Sequence, residues 1–309
     1  MRVGILGTGF GAYHAELYKK MNEVEEITVF GRNLEKLENL KSKLKVHITT
    51  DINEVLENKS IDLIDICLPS ALHREYAIKA LEHGKHVFCE TPVAYTMEDV
   101  IAMQTAKEES GKQLMVDLIA LFEPGNETFM KMLNEGDYGD IRKIQIQRFT
   151  PPIWGDLGIN NIVTDLMIHD IDFVTYLLGA PNKIQADKIQ VKERQSAVSA
   201  FCTYDTAFAE INGSSMMPSA YPFSVTFEVF CDKAVYRYYE RCYQDHEDRK
   251  LILYTDEAIQ EIPLDESSCH ENAIRYAIEM IQTQKEPIND ISTAMASLET
   301  VLKIKSLLV

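Results

Sequence analysis

The chain has 309 residues, of which 46% are hydrophobic and 26% charged, a globular balance that excludes a disordered or collagen-like polymer and suits two domains. Its formal net charge of −17 repels phosphate backbones and anionic lipid, so neither nucleic acid nor membrane is expected as a partner. Nothing in it reaches the ~18 consecutive apolar residues of a membrane span or the apolar core of a secretory signal, so the expected location is cytoplasmic.

In chain order, residues 3–6 read as a buried strand, followed by glycines and a helix over 12–21. A strand over 27–30, a charged amphipathic helix over 34–44 and a short strand at 46–48 come next. Residues 61–68 (IDLIDICL) form another strand, stopped by Pro69, and 72–83 a helix closed by Gly84. A strand at 87–89, a helix over 97–110 closed by Gly111 and a strand at 114–116 complete this part. Apolar strands alternating with helices over short connections imply parallel strands with right-handed crossovers, hence a doubly wound sheet.

Beyond about residue 120 the character changes. A helix over 125–135 precedes strand-like stretches at 141–149, 184–191, 197–204, 207–211, 223–230, 234–239 and 251–254. These read as a large, mostly antiparallel sheet with helices on one face, an α+β domain. One helix, over 162–178, interrupts them, and helices over 271–283 and 291–308 finish the chain. The expected domains are therefore 1–120 and 121–309. The six cysteines show no C-x-x-C pair; they read as reduced thiols, and no metal site is assigned.

Gly7-Thr8-Gly9-Phe10-Gly11-Ala12 fits G-x-G-x-x-A between the first strand and a helix. The first glycine permits the turn, the second admits a pyrophosphate, and the small third position lets helix and strand pack. The alternative is a tight turn with no ligand. At the end of the second strand, Phe30-Gly31-Arg32-Asn33 lacks the carboxylate that would bind a ribose 2′-hydroxyl, and Arg32 suits a 2′-phosphate. The expected cofactor is thus NADP(H), with NAD(H) as the other option.

The segment 164–172 carries Asp165, His169 and Asp172 at spacings of four and three, which on one continuous helix is a single face. An imidazole there can exchange a proton with a substrate hydroxyl or carbonyl, a carboxylate fixing its tautomer. A metal site and ordinary surface charge are the competing readings.

Together these features resemble the Gfo/Idh/MocA family of glucose–fructose oxidoreductases and inositol dehydrogenases, over essentially the whole chain. The resemblance rests on the glycine turn and on Gly31-Arg32-Asn33-Leu34-Glu35-Lys36. Leu68-Pro69-Ser70-Ala71-Leu72-His73, the stretch 80–87 (ALEHGKHV), Glu90-Thr91-Pro92 and the Asp165/His169 helix complete it. It implies a Rossmann domain followed by an α/β domain whose open sheet mediates homodimers or homotetramers, with the nicotinamide in the cleft between domains. The activity it implies interconverts a secondary alcohol and a ketone on a sugar, inositol or similar polyol. Residues 7–12, Arg32, Leu68, Pro69, Ser70, His73 and Glu90 would then serve the cofactor, with His73 chiefly supporting its loop. Asp165 and His169 would face the substrate, the histidine as acid/base.

The chain departs from this pattern at Thr91, where the family has the lysine of Glu-Lys-Pro, and at Leu121-Phe122-Glu123-Pro124, where many relatives have Arg-Phe-x-Pro. A preorganised cationic donor of that kind contributes about 3–4 kcal/mol to a transition state, and Thr91 offers a neutral hydroxyl that can only orient a substrate. Three functions stay open: a working oxidoreductase, a cofactor-binding sensor or partner subunit without hydride chemistry, and a redox-assisted elimination or hydrolysis of a glycoside. Trp154, the only tryptophan, suits stacking on a sugar ring, or anchors its own loop.

Overall fold

The structure is a computed structural model that describes residues 1–309. The apolar runs of the N-terminal third become β1 (Arg2–Leu6), β2 (Glu26–Phe30), β3 (His47–Thr49), β4 (Leu63–Ile66), β5 (His86–Cys89) and β6 (Leu114–Val116). All pair in parallel, in the order β3-β2-β1-β4-β5-β6. This is the doubly wound nucleotide-binding order, whose reversal between β1 and β4 opens a crevice at the strand ends. Val3, Ile5, Leu63, Ile64, Val87 and Phe88 are wholly buried, as strands covered on both faces must be.

The helices of this sheet are α1 (Phe10–Tyr18), α2 (Leu34–Leu44), α3 (Asn53–Leu56), α4 (His73–Glu82) and α5 (Met97–Ser110). Local chemistry sets their ends. The Asn33 side chain accepts from Lys36 N to start α2, Thr96 does the same for Asp99 N at α5, and Gly111 closes α5 at φ +64°.

The remainder comprises α6 (Pro124–Glu135), β7 (Ile141–Phe149), α7 (Ile162–Asp165), α8 (Ile168–Leu178), β8 (Lys183–Lys192), β9 (Gln195–Thr203) and β10 (Phe208–Ser214). These are followed by β11 (Phe223–Cys231), β12 (Ala234–Cys242), β13 (Glu247–Thr255), β14 (Ile259–Ile262), α9 (Cys269–Thr283) and α10 (Ile291–Leu307). Eight strands form one sheet in the order β14-β13-β12-β11-β7-β10-β9-β8, antiparallel except where β10 runs parallel to β7. Phe129 of α6, Phe173 of α8, Phe227 of β11 and Tyr236 of β12 interlock beneath it, with ring centroids 4.8 to 6.1 Å apart. Tyr236 and Tyr238 are thus core residues of this sheet.

Two compact units result: Met1–Ile119 with Ser268–Met295, and Ala120–Ser267 with Ala296–Val309. The sequence reading put everything after 120 in the second, so Ser268–Met295 is a correction. Polar contacts show why this segment returns. Gln113 Nε2 donates to the carbonyls of Met280 and Lys285 at 3.2 and 2.8 Å. Asn289 Nδ2 donates to Val116 O, and Val116 N donates back to Asn289 O, both at 2.8 Å.

Candidate functional site

In the first unit, Gly7 stands at φ +123° with its N–H on Phe30 O at 2.9 Å. A Cβ there would lie 2.4 Å from the carbonyl oxygen of Cys67, so only glycine fits. Gly9 is the opposite case: it is exposed, and a Cβ would meet nothing within 4 Å. It immediately precedes α1, whose first N–H groups have no side-chain cap. Open space at unpaired helix-terminal N–H groups is what a pyrophosphate requires, so these residues fit a dinucleotide. Gly11 is buried against Ile5 and Cys67, and Ala12 follows half-buried.

The end of β2 meets the same turn. A Cβ on Gly31 would stand 2.4 Å from Thr8 Cγ2, so glycine here brings the strand end against the turn and leaves Arg32 exposed beside it. After β4, Leu68 and Ser70 are half-buried and Pro69 exposed, ahead of a single 3-10 turn.

His73 is only 1% exposed. Its Nε2 lies 2.8 Å from Leu68 O and its Nδ1 3.1 Å from Pro92 O, so the ring ties the two loops together and has no surface for a ligand. Burial holds its pKa below the usual histidine value against the two carbonyls, which raise it; the neutral ring donates to one of them and only the protonated ring to both. Thr91 Oγ1 donates to Asp117 O at 3.0 Å. Its one hydroxyl proton is therefore engaged, and toward a ligand it has only lone pairs to offer. Glu90 points inward, its Oε1 3.2 Å from His14 Nε2.

His14, which the sequence reading passed over, is fully buried, with Nδ1 2.8 Å from the equally buried Asp65. The signal was a carboxylate in the middle of the apolar run IDLIDICL, since an unpartnered charge in a buried strand is costly.

The second unit holds the helix with His169. The sequence reading made 162–178 one helix, but α7 ends at Asp165 and α8 begins at Ile168. Met167 N reaches back five residues to Ile162 O at 3.0 Å, a widened turn. Met167 is itself buried against Gly213 of β10, where any Cβ would stand 2.4 Å from Met167 Cγ.

Asp165, His169 and Asp172 consequently do not share one helix. Asp165 is exposed at the end of α7, and His169 is half-buried in the first turn of α8. Asp172 is 1% exposed, near Ser297, and neither of its carboxylate oxygens has a hydrogen-bond partner. Between the last two, Asp170 accepts three hydrogen bonds of 2.8 to 3.1 Å from the Arg148 guanidinium. Trp154 is 61% exposed and meets Phe223 edge-on at 6.2 Å. Phe223 also carries Arg148 over its face at 5.7 Å.

Burial pushes the Asp172 carboxyl up to about 7. A raised carboxyl pKa means that the native state holds a proton that the unfolded state releases above about pH 4, so stability falls as pH rises from about 4 to 7. Asp172→Asn keeps the shape of the side chain and removes the titration. We expect the loss in unfolding free energy between pH 4.5 and pH 8 to shrink by about 2 kcal/mol in this variant, read from urea unfolding. An unchanged pH dependence would refute the assignment.

Two profiles of one family match the chain: "Oxidoreductase family, NAD-binding Rossmann fold" over residues 1–118, and the GFO/IDH/MocA C-terminal domain over 127–237. Among curated relatives, the scyllo-inositol 2-dehydrogenase (NADP(+)) of Bacillus subtilis is 25% identical over 72% of this chain and 65% of its own length. The D-glucoside 3-dehydrogenase of Escherichia coli is 28% identical over 69% of this chain and 65% of its own. In both cases the match spans just under two thirds of the relative. Among solved structures, UDP-N-acetylglucosamine 3-dehydrogenase from Acidithiobacillus ferrooxidans superposes with a TM-score of 0.86 over 100% of this chain and 97% of its own, at 20% identity. That likeness is one of fold. No helix is long and apolar enough to cross a membrane.

Proposed function

The chain belongs to the Gfo/Idh/MocA oxidoreductase family, and on that premise we propose that it interconverts a secondary alcohol and a ketone on a sugar, inositol or similar polyol, with a nicotinamide cofactor. The observation that carries this reading is the pair of glycines: Gly7 locks the turn, and Gly9 leaves the N-terminus of α1 open. The bound nicotinamide would supply or accept the hydride. His169 gives or takes the proton of the substrate oxygen, Asp165 lies one widened turn before it, and Trp154 offers an exposed apolar face to a sugar ring. Assembly of two or four copies through the eight-stranded sheet belongs to the same proposal.

NADP(H) is the preferred cofactor in this reading, because the end of β2 presents Arg32 and no carboxylate. Calorimetric titration should give NADPH an affinity at least about tenfold above NADH, a 1.4 kcal/mol difference, and Arg32→Ala should erase it. Tighter binding of NADH, or a preference indifferent to Arg32, would overturn the assignment. The activity itself is tested by following nicotinamide absorbance over a panel of inositols, glycosides and nucleotide sugars. A folded protein that binds neither nucleotide would refute the oxidoreductase reading.

One observation favours a second reading, that of a cofactor-binding sensor or partner subunit. Thr91 stands where the family has its lysine and spends its proton on Asp117 O, so it cannot stabilise an oxyanion by charge. Tight nucleotide binding without turnover on any member of the panel would select it.

A further inference from the structure

We propose that His14, Asp117 and His270 form a three-ligand binding site for a first-row divalent cation of the zinc type within the first unit, with the fourth position taken by water. The three side chains come from α1, from the chain just after β6 and from α9, and their donor atoms converge, with Glu90 bordering the space on the His14 side. His14 Nε2 is 3.2 Å from Glu90 Oε1 and 3.8 Å from Asp117 Oδ2, and His270 Nδ1 is 3.3 Å from Asp117 Oδ2. Donors placed tetrahedrally at ~2.0–2.1 Å from a zinc ion stand ~3.3–3.4 Å apart, so the cluster already has nearly the right span. The donor atoms of His14, Asp117 and His270 all lie within 4.8 Å of one another.

The surroundings of His14 argue in the same direction. Its Nδ1 is 2.8 Å from Asp65 Oδ2, and both residues are fully buried. A ring N–H held by a carboxylate leaves the other nitrogen as a lone pair of fixed direction, the arrangement that orients histidine ligands in metal sites. That nitrogen borders a space lined by carboxylate oxygens 3.2 and 3.8 Å away. His14 Nε2, Glu90 Oε1 and Asp117 Oδ1 are all buried atoms without a hydrogen-bond partner. A lone pair facing carboxylates is repulsive unless a positive species lies between them, and either a proton or a cation can serve.

Charge balance favours the cation. Asp65, Glu90 and Asp117 crowd three carboxylates into this space, and their ion pairs run only to His14 and His270. Two imidazole nitrogens with one carboxylate oxygen suit zinc and its neighbours better than calcium or magnesium, which take oxygen ligands throughout. Cys67 Sγ, 3.3 Å from Asp65 Oδ1, groups with His14 and Glu90 rather than with Asp117 and His270, so neither it nor Glu90 belongs to the ligand set. Phe10 packs edge-on against both imidazoles, at 5.2 Å from His14 and 4.9 Å from His270, and closes the apolar side. A cation here would fasten α9 to the parallel sheet.

The test uses the full chain, stripped with a chelator and titrated with Zn²⁺ in competition with a chromogenic chelator, then with Co²⁺ for its visible ligand-field spectrum. We expect one equivalent of Zn²⁺ and the intense absorption of four-coordinate Co²⁺. His270 is part-exposed on α9, so His270→Ala is the variant best placed to remain folded; it should weaken binding about 100-fold or more. Asp65→Asn, which touches only the orienting carboxylate, should weaken it about 10- to 100-fold. If His270→Ala fails to fold by circular dichroism, His270→Gln takes its place with the same expectation. A folded native chain that takes up no stoichiometric Zn²⁺, or His270 variants that bind as the native chain does, would overturn the proposal.

Discussion

Alanine at position 169 is expected to cut turnover about 100-fold or more, while affinity for the nicotinamide cofactor stays where it was. General acid–base catalysis contributes roughly 10²- to 10⁴-fold, and the lower end of that range is about 2.7 kcal/mol of barrier. His169 is the candidate on α8 because its acidic neighbours are committed: Asp170 to the Arg148 fork and Asp172 to the interior beside Ser297. The widened turn at Met167 presents His169 in a first helical turn, where it is half-buried rather than enclosed. The residues assigned to the cofactor all belong to the first unit, so the variant should bind NADPH as the native protein does. Steady-state kinetics on the best substrate, with calorimetry for the cofactor, reads both quantities. Near-native turnover would remove His169 from the mechanism, and a joint loss of turnover and cofactor affinity would mean that it acts through the fold.

The parallel sheet could be read from the sequence because strands buried on both faces leave no room for polar residues. Stretches such as Val3–Leu6 and 87–89 therefore stand out as apolar runs, and the glycine turn follows the first of them. Short or edge elements were not legible. The single turn α3 is too brief to show a period, and β14 is exposed along three of its four residues, so it carries no alternation. The break between α7 and α8 was hidden for another reason. It is imposed by the approach of Met167 to Gly213, a strand residue distant in sequence, on a segment whose apolar content is high all round. Likewise, the pattern of 271–283 says that a helix face is buried and cannot say against which unit. Gln113 and Asn289 decide that through hydrogen bonds spanning 167 to 173 positions. The cluster around His14 is the extreme case. The carboxylate of Asp65 within an apolar strand was an unread signal, and its partners come from elements that only the folded topology brings together, with no spacing to read along the chain.

Gly7 and Gly9, two residues apart in one turn, should respond in opposite ways to the same added methyl group. At Gly7 the positive φ of +123° and a Cβ only 2.4 Å from the Cys67 carbonyl oxygen leave an alanine no place. Backbone strain and steric displacement each cost of the order of 1–3 kcal/mol, so Gly7→Ala should lose about 3 kcal/mol or more of stability. Gly9 has φ −82°, and a Cβ there meets nothing within 4 Å. Its ψ of −104° lies outside the helical and extended wells, so Gly9→Ala should cost about 1 kcal/mol of stability, well short of the loss at position 7. Its methyl group nonetheless occupies the space in which a pyrophosphate would approach the first N–H groups of α1. Cofactor affinity is expected to fall about 100-fold, equivalent to about 2.7 kcal/mol. Urea unfolding and calorimetric titration of the two variants separate the roles: stability lost at position 7, binding lost at position 9. Gly9→Ala that binds NADPH as tightly as the native chain would place the pyrophosphate elsewhere, and with it would go the observation on which the oxidoreductase reading rests.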